Sequence, residues 1–190
     1  MSQQDRTKWD TKYRSATQIE SEPSRVLTSL DTILPRSGRA IDVAGGVGRH
    51  SVWLAERGLD VTLTDISAVG LALARKRAKS ADVRLATREI DFDEQAFPPG
   101  PWDLILSCCF LNRTVIHSMG DYLSPSGIVI VIQPTRKNLE RHEKPPAPFL
   151  LREGELPNLI SGLDILNYEE GWLADGRHDA LLVACRARNT

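Results

Sequence analysis

What the 190-residue chain lacks narrows the possibilities before any motif is considered. Its three cysteines, Cys108, Cys109 and Cys185, are odd in number and sit in apolar runs, which excludes a disulfide framework and reads as reduced, buried thiols. Neither His nor Lys stands beside Cys108 and Cys109 to activate a nucleophile. No stretch approaches the eighteen or so apolar residues of a membrane span, and Met1 to Arg6 has no apolar signal core, so a cytoplasmic location is expected. With 24 Lys and Arg against 25 Asp and Glu, the formal charge is −1, and no broad basic face exists to meet a phosphate backbone. Nucleic acid is excluded as a partner on that ground. Internal repeats, serine-glycine linkers and metal-ligand spacings are likewise missing, leaving one domain over residues 1–190 and no metal. A chain of this length buries roughly 70% of its unfolded surface.

What is present centres on residues 40–50, where the apolar run Ala40-Ile41-Asp42-Val43 leads through Ala44-Gly45-Gly46-Val47-Gly48 into a helix beginning at Arg49. Glycines let backbone approach a ligand closely or take φ > 0, and the helix start aims free N–H groups at the same place. This is the pattern of a nucleotide or nucleoside cofactor site. The dinucleotide fingerprint G-x-G-x-x-G is incomplete, since Gly46-Val47-Gly48 is followed by Ser51 at the third position. A carboxylate at Asp42 would also repel a pyrophosphate and suits a cationic ligand better. Ala44 is expected to keep φ < 0. The next β-branched run ends in Asp65 and Ile66; a carboxylate there suits ribose hydroxyls or, alternatively, caps the following helix, for which Ser67 is the better candidate.

Hydrophobic periodicity predicts alternating elements. Helices are expected over Ser24–Leu34, Arg49–Arg57, Ala68–Lys79 and Thr114–Tyr122, and strands over Arg39–Val43, Val61–Thr64, Val83–Ala86, Trp102–Cys108 and Ile128–Ile132. The last two strands, Leu163–Tyr168 and Ala180–Cys185, are joined too briefly for a crossover helix and predict an antiparallel hairpin. The fold class is α/β, a Rossmann-like doubly wound sheet that is mostly parallel with an antiparallel last strand.

Asp42, Gly46 and Gly48 resemble the first motif of class I S-adenosylmethionine-dependent methyltransferases, an acid followed by G-x-G-x-G, with Ala44 in place of the first glycine. That cofactor carries a sulfonium and an ammonium and no phosphate. The resemblance implies that Asp91 holds the adenine amino group with Phe92 stacked on the ring, and that Ser107 lies at the cofactor edge. Amino-group methyltransferases of adenine, cytosine or glutamine carry an Asn/Asp/Ser-Pro-Pro-aromatic motif there; Ser107-Cys108-Cys109-Phe110 lacks it. Trp9 to Arg14, Phe110 to Arg113, Phe149 to Leu156 and Tyr168 to Gly171 resemble the small bacterial tellurite-resistance-type methyltransferases. From that likeness, Tyr13 and Arg14 close over the cofactor with Arg14 on the methionine carboxylate, and Asn112 and Arg113 face the acceptor. Residues 1–36 then form a helical cover and 134–160 a lid, whose Arg136, Lys137, Arg141, His142 and Lys144, together with Arg113, suit an anion. His142 and His178 are expected at the surface. The implied activity is methyl transfer to a small molecule such as a thiol, a chalcogen oxyanion or another anion. The alternatives are a catalytically silent S-adenosylmethionine-binding protein and an NAD-dependent oxidoreductase.

Overall fold

The computed structural model describes residues 3–15, 20 and 22–186; residues 1, 2, 16–19 and 21 of the expected N-terminal cover lie outside them. Seven strands form one sheet: β1 (Arg39–Val43), β2 (Asp60–Asp65), β3 (Ala86–Glu89), β4 (Trp102–Cys108), β5 (Leu123–Pro134), β6 (Asp164–Trp172) and β7 (His178–Cys185). Their order is β3-β2-β1-β4-β5-β7-β6. The first five run parallel, whereas β7 is antiparallel to both β5 and β6. Helices α1 (Gln3–Ser15), α2 (Arg25–Thr28), α3 (Arg49–Glu56), α4 (Ala68–Ser80), α5 (Arg113–Ser118) and α6 (Leu156–Leu159) complete the chain. Central strands covered on both faces need apolar residues throughout, and Ile128 to Ile132 is buried without interruption. One core gathers Ile41, Ile105, Val129 and Leu182, and the other gathers Leu27, Leu54, Leu104 and Ile130, on the two faces of the sheet.

Several expected elements differ. β5 begins at Leu123 and runs to Pro134, beyond the expected Ile128–Ile132, and the helix expected over Thr114–Tyr122 is α5 followed by a 3-10 turn over Met119–Tyr122. β3 begins at Ala86 rather than Val83. Asp82 takes φ 54 and Val83 N donates to Ala78 O, so the residues after α4 serve to close that helix. β3 pairs with β2 alone, and an edge strand with mostly exposed side chains carries no apolar run to announce it. The stretch expected as a helix over Ser24–Leu34 is helical only to Thr28. Beyond it the bonds Leu30 N to Leu27 O and Ile33 N to Leu30 O are tighter three-residue turns, in a sequence whose Thr28 and Ser29 hydroxyls bond back to the backbone and weaken the helix. The hairpin strands are longer than their apolar runs, leaving Leu173 to Arg177 as the link. Among the described residues no helix is long and apolar enough to cross a membrane.

Candidate functional site

Parallel packing brings the carboxyl ends of β1, β2 and β4 together, the edge where open α/β sheets bind ligands. There the chain turns sharply from β1 into α3. Gly45 N donates to Thr64 O and Gly48 N to Gly45 O, both at 3.0 Å, tying the turn to β2. A Cβ on Gly45 would lie 2.4 Å from Asp42 Oδ2, so only glycine passes over that carboxylate. Gly46 and Gly48 adopt φ of 58° and 75°. Ala44 departs from expectation: its φ is 54°, because the turn needs a left-handed residue where the sequence supplies a Cβ. That conformation costs an L-residue on the order of 1–2 kcal/mol.

Asp42 is fully buried at the centre of this turn. Ser51 Oγ donates to its Oδ2 at 2.6 Å, while Oδ1 has no hydrogen-bond partner. Burial pushes its pKa up to about 7, against the Ser51 hydrogen bond and with the charge of Asp65 adding to the rise. Asp65 ends β2, and its two oxygens accept from Gly46 N and Ser67 N, each at 2.8 Å. Burial likewise raises its pKa. The cap of α4 is Ser67, whose Oγ accepts from Gly70 N. Ile66, between them, is buried.

Helix α1 lies across this edge. Asp10 Oδ1 accepts from Ser67 Oγ at 2.5 Å, Arg6 pairs with Glu89, and the Tyr13 hydroxyl rests where a Cβ of Gly46 would be. Its ring edge fills the same position over Gly70, and burial raises the phenol pKa above its ordinary value. A cleft of about 370 Å³ opens beside Tyr13, lined by Trp9, Lys12, Glu20, the Ala44–Val47 turn, Arg49, His50, Cys108 and Cys109. Arg49 pairs with Glu20. Arg14 points elsewhere, 65% exposed and 3.6 Å from Asp10.

The remaining sequence-derived candidates hold structural posts. Asp91 is buried just past β3, and its Oδ1 accepts from Asp93 N. Phe92 packs in the core against Phe97 and Phe110. Ser107 is buried at the tip of β4, its hydroxyl 3.4 Å from Phe110 O. Asn112 caps α5 through Val115 N and donates to Asp93. Arg113 grips Glu155 with two bonds of 2.5 and 3.0 Å, linking α5 to the start of α6. Over 134–160 the chain is anchored by buried Leu150, Leu151 and Leu156 and by Gln133 donating to Phe149 O. Arg141 stacks on Trp172, and His142 meets Gly176 O.

Two expectations from the sequence are corrected here. His178 is buried, not superficial: its Nδ1 lies 2.8 Å from Thr135 Oγ1 and its ring packs edge-on against Trp172. Cys109 is exposed rather than buried, and Cys108 and Cys185 are only partly covered. A hydrogen bond from the Cys108 thiol, aided by the guanidiniums of Arg177 and Arg49, brings Cys109 down to about 7, while Cys108 is pushed up. Arg177 lies 68 positions away in sequence, which hides this partner from any local reading. Beside it Asp179 is buried with neither carboxylate oxygen hydrogen-bonded, 3.7 Å from Arg177. His50, also unforeseen, accepts from Ser24 N, and burial lowers its pKa to about 3, so it stays neutral.

A central strand flanked in the order 3-2-1-4-5-7-6, with the seventh strand reversed and a glycine turn after the first, is the class I methyltransferase architecture. Residues 40–127 match the family model described as a methyltransferase domain. YqeM of Bacillus subtilis (strain 168), named as a methyltransferase, is 34% identical over 80 residues, which cover 42% of this chain and 32% of that protein. The crystal structure of TehB from Haemophilus influenzae superposes with a TM-score of 0.70 at 22% identity, over 95% of this chain and 66% of that one. Magnesium protoporphyrin IX methyltransferase (ChlM) from Synechocystis PCC 6803, solved with bound S-adenosylmethionine, gives 0.65 at 16% identity, over 85% of this chain and 76% of that one. The match thus spans about a third of YqeM and just under two thirds of TehB. At these identities the structural likenesses establish the fold. The methyltransferase domain family uses S-adenosylmethionine.

Proposed function

We propose that the chain is an S-adenosylmethionine-dependent methyltransferase acting on a small anionic or soft acceptor, a thiol or chalcogen oxyanion being the fitting chemistry. The observation that carries this reading is Asp42, a buried carboxylate beneath a glycine turn with one oxygen unpartnered. Its charged form gains from a cation above the turn, whereas a pyrophosphate there would be repelled. Asp65 spends one lone pair of each oxygen on backbone N–H groups and keeps capacity for the ribose hydroxyls. Asp91 serves the adenine end and Ser107 the β4 edge. Lys12 and Arg49, which line the cleft, replace Arg14 as cations for the methionine carboxylate. Tyr13 and α1 cover the cofactor, and 134–160 walls the acceptor side.

When bound, the cofactor supplies an electrophilic methyl group; the chain's work is to hold donor and acceptor about 3 Å apart and in line. Asn112 and Arg113 are engaged in capping and in the Glu155 pair, so neither serves as a base. An acceptor that is already a nucleophile requires none. Calorimetric titration with S-adenosylmethionine, S-adenosylhomocysteine and NAD tests the cofactor, and labelled-methyl transfer across thiols, selenite and tellurite tests the acceptor. Binding of the first two without NAD is expected. Binding of NAD alone would overturn the proposal.

A further inference from the structure

Successive side chains on an extended strand point to opposite faces, so Cys108 and Cys109 at the end of β4 ought to diverge. They do not. Cys109 takes φ 59, a left-handed conformation fixed by its N–H donating to Ile132 O at 2.8 Å, and both residues line the cleft with their sulfurs 3.9 Å apart. A disulfide needs about 2.05 Å. Two bonds of about 2.3 Å from sulfur to one soft central atom place the sulfurs about 3.8 Å apart at a tetrahedral angle, and about 3.4 Å apart at the roughly 95° angle of a trivalent centre that keeps its lone pair. The pair stands within about 0.5 Å of the spacing at which it shares such an atom, a closure that a small side-chain rotation supplies. Zinc would need further ligands, and among the described residues no group of three or more His, Cys, Asp and Glu is assembled to hold a metal. A trivalent metalloid needs only two thiols, keeping one oxygen and its lone pair for the remaining positions, and soft sulfur ligands favour such an atom. Arg177 Nη1, 4.0 Å from Cys109 Sγ, supports the thiolate and an anionic oxygen beside it.

We propose that Cys108 and Cys109 form a dithiol site for a trivalent arsenic oxyanion at the acceptor side of the cleft. Two S–As bonds form and two As–O bonds break; the two thiol protons leave with the released hydroxyls as two waters, and nothing is oxidised or reduced. That the bound metalloid is also the methyl acceptor rests on the methyltransferase reading above.

The test is thiol titration of the reduced full-length chain against increasing arsenite, alongside thermal melts and S-adenosylmethionine calorimetry on the same preparations. One arsenite per chain should protect two of the three thiols and raise the melting temperature. Cys185→Ser, at the far end of β7, should behave likewise, whereas Cys108→Ser and Cys109→Ser should each lose protection at least tenfold in arsenite concentration. Protection that survives Cys109→Ser, or zinc protecting as well as arsenite, overturns the site. If a cysteine variant fails to fold, the count of protected thiols in Cys185→Ser still decides: two support the site, none overturns it. Cofactor binding without arsenite binding sinks the dithiol site alone; arsenite binding without cofactor binding sinks the methyltransferase reading and leaves the dithiol standing.

Discussion

The two halves of the cleft are held by different means. Around the glycine turn, the two carboxylates come from the ends of neighbouring strands, Asp42 from β1 and Asp65 from β2, and Asp65 is met by backbone N–H groups of Gly46 and Ser67 while Asp42 takes the Ser51 hydroxyl from α3. Around Cys109, the partners are side chains delivered by a distant hairpin, Arg177 and Asp179, on backbone positioned by β5. The first half is specified by what the main chain must do, and the second by what the tertiary fold happens to bring together. Main-chain demands select residue types that few other positions tolerate, whereas a side-chain cluster leaves no local mark.

The largest expected effect separates the halves through pH. Asp42 carries a folded pKa of about 7 against 3.8 for an ordinary carboxyl, so between those values the native state holds a proton that the unfolded chain has lost. Stability from this group is therefore fully present below about pH 4 and is lost as pH rises to about 7. The loss is on the order of 4–5 kcal/mol at about 1.4 kcal/mol per pH unit. Asp42→Asn should flatten that slope in urea unfolding measured from pH 4 to 8. Cofactor binding runs the other way: a bound cation favours ionised Asp42, so wild-type affinity should improve up to tenfold per unit as pH rises toward 7 and then level off. An unchanged slope in the Asn variant would show that Asp42 is not the group responsible.

Asp65→Ala comes next. Loss of its hydrogen bonds should weaken S-adenosylmethionine binding by roughly 1–3 kcal/mol in a calorimetric titration, with a lower melting temperature because Gly46 N and Ser67 N are orphaned. A changed melt with unaltered affinity would reduce Asp65 to a support for the turn. By contrast, Arg113→Ala breaks a half-exposed pair with Glu155 and should cost no more than about 1 kcal/mol in chemical denaturation. Methyl transfer should persist in that variant. A loss of turnover with unchanged stability would restore Arg113 to the acceptor site.

How much could be read from the sequence follows the same division. β1, α3, α4 and β4 can be read from the sequence to within a residue or two because buried parallel strands and capped helices carry strong periodic signals. The hairpin was legible from its short link. β3 is hard to place because an exposed edge strand of Ala-Thr-Arg-Glu has no apolar pattern, and the helix from Ser24 stops short of Leu34 because hydroxyl side chains compete for backbone partners. The spacing of Asp42, Gly46, Gly48 and Asp65 is enough to put them at the adjoining ends of β1 and β2. Nothing local marked His178 as a buried anchor of Thr135, or joined Cys109 to Arg177, since both depend on contacts over more than forty positions.

The smallest expected effect bears on the turn that the sequence matched imperfectly. Ala44 holds φ 54, at the position where the methyltransferase motif carries its first glycine. Ala44→Gly relieves a left-handed strain of about 1–2 kcal/mol, but it also frees the unfolded chain, which offsets about 0.5–1 kcal/mol. The net gain should be roughly 0.5 kcal/mol in unfolding free energy, with cofactor affinity unchanged, because the Ala44 backbone already occupies the required conformation. A larger gain accompanied by tighter cofactor binding would show that the alanine methyl distorts the turn. The glycine half of the cleft would then be less completely organised than its backbone hydrogen bonds imply.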